Sequence, residues 1–181
     1  STTGALSFTT SPDYEAPGDS DADNTYAVTV TATDGFNTSE QVISVTVANI
    51  NDNSPTFTSS ESLSVNENQT AIVKVEATDA DGDTVSYSLS GTDTDALTIN
   101  SSSGVLTFNT APDYETKSSY SAVVTASDET NASSQTLSIS IVNVNEFTPT
   151  FTTDATFNAN ENQTSIGTVT ASDGDGDTLS Y

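Results

Sequence analysis

The segment VNENQTAIVKVEATDADGDTVSY at residues 65–87 returns, little changed, as ANENQTSIGTVTASDGDGDTLSY at 159–181. SPTF at 54–57 likewise returns as TPTF at 148–151, so Phe57 and Phe151 stand 94 residues apart. PDYE at 12–15 and 112–115 is offset by 100, and the loop APGDSDADNT absorbs the excess, since Tyr26 and Tyr120 are again 94 apart. Self-similarity at a fixed period makes each period one structural unit and the chain an array of such units. The array divides into residues 1–53, the C-terminal half of one repeat; 54–147, a complete repeat; and 148–181, the N-terminal third of a further repeat. It reads as a window from a longer repetitive protein.

Within the period, apolar residues alternate. AIVKVEATD places Ala71, Val73, Val75 and Ala77 on one face, and TLSISIV does the same with Leu137, Ile139 and Ile141. A period of two is that of half-buried strands. In the complete repeat the pattern predicts strands near 61–66, 71–78, 84–90, 95–99, 104–109, 118–127 and 134–143, separated by Gly, Asp, Asn and Pro turn signals. Seven short strands in about 94 residues predict an all-β fold, a seven-strand Greek-key, immunoglobulin-like β-sandwich repeated in tandem.

Composition then limits what such an array can do. The chain has no Cys, Met, Trp or His, only two Lys+Arg, and a formal net charge of −24. Nucleic acid and anionic membranes need cationic side chains to neutralise phosphate, so neither is a partner. Without Cys there is no disulfide scaffold and no thiolate metal site. No apolar run approaches the roughly 18 residues that span a bilayer, and STTGALSF lacks the basic end of a signal peptide. The natural counter-ion is a hard cation bound by oxygen.

The carboxylates gather at strand ends. Glu67 follows the first predicted strand, DADGD at 79–83 follows the second, DYE at 113–115 precedes the sixth, and Asp128 ends the sixth. On a sandwich these positions lie at the poles: Glu67, Asp113 and Glu115 toward the following repeat, Asp79, Asp81 and Asp128 toward the preceding one. NINDNSP at 49–55 runs between poles. Asp83 and Asp177 sit one step past the carboxylates of the DxD pairs and are read as turn caps. DSDADN at 19–24 starts like an EF-hand loop but lacks its Gly and distant Glu, and is read as a turn. Tyr26 and Tyr120 are read as core anchors, and the N-x-S/T triplets as unmodified.

Taken together, NEN at 66–68, DYE, NINDNSP, DAD at 79–81, YAVTVTATD at 26–34 with YSAVVTASD at 120–128, and SGVLTF at 103–108 resemble the motifs of cadherin repeats, especially the cadherin-like repeats of large bacterial surface proteins. The resemblance covers essentially the whole chain. It implies calcium ions held between successive repeats, which stiffen the array. At the first junction it nominates Asp13, Glu15, Asn51, Asp52, Asn53, Asp79, Asp81 and Asp128; at the second, Glu67, Asp113, Glu115, Asn145, Glu146, Phe147, Asp173 and Asp175. Asp34 is the equivalent of Asp128 for an earlier junction, and Glu161, the equivalent of Glu67, is the glutamate that a second copy associated head to tail would supply to the first junction at Asp13. The second linker, NVNEFTP, departs from the pattern, with Glu146 in place of Asp and Phe147 in place of Asn. Both linkers begin with Asn49 or Asn143 where the family has Asp.

The expected function is a calcium-rigidified extracellular spacer or adhesion segment of a large repetitive surface protein or filament; the alternative is a polysaccharide- or ligand-binding module. Catalysis is not expected, because paired carboxylates here sit at interfaces and not in a cleft. Expected partners are neighbouring repeats of the same protein. Head-to-tail self-association, with residues 148–181 of one copy completing 1–53 of the next, is a further expectation.

Overall fold

The computed structural model describes residues 4–181. Two long strands, β1 (Thr25–Thr33) and β2 (Thr38–Thr46), form an antiparallel hairpin ahead of the first linker. The complete repeat follows with β3 (Thr56–Phe57), β4 (Ser62–Asn66), β5 (Ala71–Lys74), β6 (Ala77–Thr78), β7 (Ser86–Ser90), a 3-10 turn at Thr94–Ala96, β8 (Leu97–Ile99), β9 (Val105–Phe108), β10 (Ser119–Ser127) and β11 (Ala132–Val142). Beyond the second linker lie β12 (Thr150–Phe151) and β13 (Ala171–Ser172).

The complete repeat is a β-sandwich. One sheet has the order β4-β11-β10-β7, with β11 and β4 parallel and the other pairs antiparallel; the facing sheet is β5-β9-β8. Alternation decides which residues meet between them. β10 buries Ala122, Val124 and Ala126, and β11 buries Leu137, Ile139 and Ile141, while the intervening Ser and Thr face outward. Val65, Val75, Leu97, Leu106 and Phe108 close the core. Burial of each large aliphatic side chain stabilises by about 1.5–3 kcal/mol, and this core fixes the poles that carry the carboxylates. Tyr120 packs against this core, edge-on to Phe108 at 4.9 Å, whereas Tyr26, expected to be a core anchor too, lies edge-on to the exposed Phe8 at 5.1 Å and joins no buried core.

The structure adds the two-residue β3 to the sequence-based strand map and alters it in three further places. The strand expected over 71–78 is broken into β5 and β6. At the break Val75 donates its N–H to Gly104, and the Glu76 carbonyl accepts from Thr58 and Ser59, so the chain leaves one sheet and pairs with β3. A register shift between Ala71 and Val73 leaves Ala71 exposed, off the face assigned to it. The first part of the 95–99 strand is the 3-10 turn.

The flanking repeats carry fewer strands than their sequences predict. Residues 4–9 match the fifth strand of the repeat, and residues 156–170 match β4 and β5, yet neither stretch is in a strand. β4 pairs with β11, and β5 and β9 pair with each other. A backbone edge without its partner has no ladder to join. What does recur is the local packing beside the junction. Ala77 donates its N–H to Tyr87 Oη at 2.9 Å, and Ala171 does so to Tyr181 Oη at 2.9 Å.

Candidate metal centres at the repeat junctions

Glu67 is the side chain on which the second junction turns. β4 ends at Asn66, and the Glu67 N–H donates to Val142 of the parallel neighbour β11 at 3.2 Å. Asn68 then adopts a left-handed backbone (φ 63°) and donates its N–H to the Pro112 carbonyl at 2.9 Å. That turn carries the Glu67 carboxylate inward until it is only 3% exposed. Its Oε2 accepts from the Tyr114 N–H at 2.7 Å, and its Oε1 from the Val144 N–H at 2.7 Å. One side chain thus joins the DYE loop to the linker. Asp113 caps its own loop, accepting from the Thr116 N–H at 3.1 Å and the Thr116 hydroxyl at 2.9 Å. Carboxylate oxygens of Glu67, Glu115 and Glu146 converge within 4.8 Å of one another, and Glu146 also accepts from the Asn68 side-chain amide.

From the other side the DGD turn grips the same linker. Asp175 Oδ2 accepts from the Glu146 N–H at 2.9 Å and the Phe147 N–H at 2.8 Å, while its backbone carbonyl accepts from Asn143 Nδ2 at 3.0 Å. Asp173 Oδ1 accepts from the Asp175 N–H at 3.0 Å and sets the turn.

The first junction is built the same way. Asp81 Oδ2 accepts from the Asp52 and Asn53 N–H groups at 3.1 and 2.8 Å, the Asp81 carbonyl from Asn49 Nδ2 at 2.7 Å, and Asp79 Oδ1 from the Asp81 N–H at 3.0 Å. Glu15, Asp52 and Asp81 bring oxygens within 4.8 Å of one another across the linker. Asp13 orders its loop by accepting from the Glu15 and Ala16 N–H groups. Asp128 accepts from Thr130 and Asn131, and Asn131 Nδ2 reaches the linker at Asn51 Oδ1 (2.6 Å) and the Asn53 carbonyl (3.0 Å).

No side-chain cation offsets this charge. The two ammonium groups of the chain are engaged elsewhere, Lys74 with Glu76 and Lys117 with Asp93. Partial loss of water, and then Asp81 and Asp13, push the Glu15 carboxyl above its ordinary value; partial loss of water, and then Glu67, Asp175 and Asp113, do the same to Glu115. Asp81 moves the other way because the Asn53 side chain donates to it, as does Asp128 because the Asn131 backbone donates to it. Buried oxygens without a hydrogen-bond partner include Asp79 Oδ2, Asp128 Oδ2, Asn143 Oδ1 and Asp175 Oδ1, all at the two junctions. Convergent carboxylates, amide oxygens and orphaned buried acceptors, with no nitrogen or sulfur donor, are the set that a hard cation such as calcium prefers.

The pH dependence follows from these directions. A carboxyl raised in the docked state favours docking while protonated and opposes it once ionised, so Glu15 and Glu115 weaken the calcium-free junctions as pH rises through and above their ordinary value of 4.5. Asp81 and Asp128, held low, contribute stability above their ordinary 3.8 that is lost as pH falls below it. In chelator, junction amides are therefore expected to be best protected in mildly acidic buffer, with protection falling toward neutral pH and again in stronger acid. Amide exchange across a pH series measures this.

At each linker, carboxylates from the segments on either side of it come close: Glu15 with Asp52 and Asp81, and Glu67 with Glu115 and Glu146, with Asp175 holding the Glu146 and Phe147 N–H groups. Asp83 and Asp177, read as turn caps, bring oxygens within 4.8 Å of Asp79/Asp81 and Asp173/Asp175, and Asp177 accepts from Asn145. Sequence reasoning missed Asn49, Asn143, Asn68 and Asn131 as parts of the site. Among the described residues Asp13, Asp34, Asp113, Asp128 and Glu161 join no carboxylate cluster; Asp13, Asp113 and Asp128 order their own loops, and Asp34 caps its own turn from Phe36 and Asn37, as Asp128 does from Thr130 and Asn131. Asp19, Asp21 and Asp23 also converge within 4.8 Å, outside both junctions.

The cadherin domain family model matches residues 61–144. A search of curated protein sequences finds no match. Among solved structures, protocadherin gammaB7 EC3-6, described as a cis-dimer, is 26% identical with a TM-score of 0.70, covering 86% of this chain and 45% of that one. Mouse cadherin-23 EC22-24 is 25% identical with a TM-score of 0.59, covering 83% and 53%. Protocadherin gamma B2 extracellular cadherin domains 3-6 give 24% identity and a TM-score of 0.71, covering 86% and 44%. The chain thus spans about half the length of the structures it resembles. With the sandwich of the central segment already traced, the match over 61–144 marks that segment as a cadherin-like β-sandwich.

Proposed function

We propose that this chain is a calcium-rigidified spacer or adhesion segment of a large extracellular, repetitive surface protein or filament. The observation that carries the reading is the duplicated clamp. At each linker an Asp (Asp81 or Asp175) holds two successive backbone N–H groups and an Asn side chain, beside clustered carboxylates that no Lys or Arg neutralises.

Asp13, Glu15, Asn51, Asp52, Asn53, Asp79, Asp81 and Asp128 would hold calcium at the first junction. Glu67, Asp113, Glu115, Asn145, Glu146, Phe147 (by its carbonyl), Asp173 and Asp175 would hold it at the second. Bound calcium supplies positive charge that turns repulsion between the poles into cross-linking. Glu67 positions the linker from the preceding repeat and Asp175 from the following one. Pro55, fully buried, limits the backbone on entry to the complete repeat. Because the ions favour the docked arrangement, they raise stability by mass action. Neighbouring repeats of the same protein are the first partners, and head-to-tail association of 148–181 with 1–53 of a second copy extends the same surface logic. Among the described residues, no helix is long and apolar enough to cross a membrane.

Calorimetric titration of the chain with calcium, with small-angle scattering before and after chelation, tests the proposal. Several ions per chain and a longer, stiffer particle with calcium are expected; a doubled mass would report head-to-tail pairing. No binding at millimolar calcium with unchanged shape would overturn the reading and leave the poles as solvated surface.

A further inference from the structure

Two positions of the second junction differ from the first in opposite senses of size. Phe147 stands where the first linker has Asn53, and Gly174 stands where the DAD turn has Ala80. Asn53 Nδ2 donates to Asp81 Oδ1 and to Asp52 Oδ1, both at 3.0 Å, so both oxygens of Asp81 are engaged. Phe147 has no such donor, and Asp175 Oδ1 is accordingly buried without a partner.

The ring lies over Gly174 instead. A Cβ built on Gly174 would stand 2.7 Å from Phe147 Cδ2 and 2.9 Å from Phe147 Cβ, closer than real carbons approach. The aromatic ring therefore fills the space that an alanine methyl would need. The same exchange occurs a second time in this repeat. Phe157 and Gly167 stand where the complete repeat has Leu63 and Val73, and a Cβ on Gly167 would fall 2.5 Å from the Phe157 ring. Enlarging one partner while shrinking the other conserves volume, which is how packed contacts tolerate change.

We propose that Phe147 seated on Gly174 is an apolar latch that replaces the Asn53 amide clamp, so that the Phe-ended linker fits only a turn with Gly at its centre. An amide-ended linker fits Asp-Ala-Asp, and a Phe-ended linker fits Asp-Gly-Asp. The pair specifies which repeat can follow a Phe-ended linker. It is a packing contact whose driving force needs no ion.

The test is a double-substitution cycle in the full 181-residue chain in chelator: Gly174→Ala, Phe147→Asn, and both together. Exchange of the Glu146 and Phe147 amides, which donate to Asp175, is read by NMR; the Leu137 and Ile139 amides report that the complete repeat remains folded. Gly174→Ala is expected to speed exchange at position 146 and 147 by about tenfold, and Phe147→Asn by several-fold. The double variant, which recreates the chemistry of the first junction, is expected to return to within about threefold of the parent. An unprotected parent, an unchanged Gly174→Ala variant, or a double variant as fast as Gly174→Ala overturns the latch. Because calcium is absent throughout, that result would leave the calcium proposal standing, and a failed calcium titration would leave the latch untouched.

Discussion

Glu67→Ala is expected to lower the stability of the complete repeat by about 3 kcal/mol in chelator, and to remove most of the calcium stabilisation proposed for the second junction. The carboxylate is buried and accepts two short N–H bonds, one from the DYE loop at Tyr114 and one from the linker at Val144. Charge-assisted bonds of this kind are each worth about 1.5–3 kcal/mol, and truncation leaves two donors to find water. Glu67→Gln separates the contributions. The amide retains one acceptor but points an NH₂ at the other N–H, so part of the loss is expected to remain without any change in size. Urea denaturation with and without calcium measures both variants. A Glu67→Ala variant as stable as the parent in both buffers would show that the carboxylate is incidental to the junction.

The arrangement around Glu67 shows what was legible in the sequence. Its place after a strand, beside DYE and ahead of a linker, follows from periodicity and repeat offset, because both are local patterns. The paired sheets of the complete repeat were legible for the same reason. Thr56–Phe57 was not, since two residues have no period, and its partner Ala77–Thr78 was hidden in a run that reads as one strand. The break at Val75 and Glu76 comes from tertiary hydrogen bonds to Gly104, Thr58 and Ser59, which no alternation records.

The missed asparagines have a different cause. Asn131 reaches Asn51 across 80 residues, and a single Asn in a turn reads as turn chemistry alone. The repeat did hold a signal. Asn37 and Asn131 each follow an Asp by three residues, Asn68 recurs as Asn162 with the same left-handed backbone, and Asn49 recurs as Asn143. Recurrence of polar turn residues, and not only of carboxylates, was the evidence available.

Gly104→Ala should damage the complete repeat as severely as truncating a core side chain, although it lies outside both junctions. Gly104 has φ +72°, where a side chain costs about 1–2 kcal/mol. An added Cβ would also press into the backbone carbonyl of Val75, which cannot swing aside as a flexible side chain could. Overpacking of this kind costs about 1–3 kcal/mol more. The expected total, about 2–5 kcal/mol, is a large part of the 5–15 kcal/mol that holds a domain together. The functional consequence runs through the chain. Val75 is 1% exposed, donates its N–H to Gly104, and leads through β6 directly into Asp79 and Asp81. Displacing it moves the turn that grips the first linker, so the calcium-dependent stiffening proposed for the first junction should weaken together with the fold. Thermal unfolding and calcium titration of the same variant would register both losses. A variant with parental melting temperature would mean that the Val75 segment yields without cost, and that the core does not position the clamp.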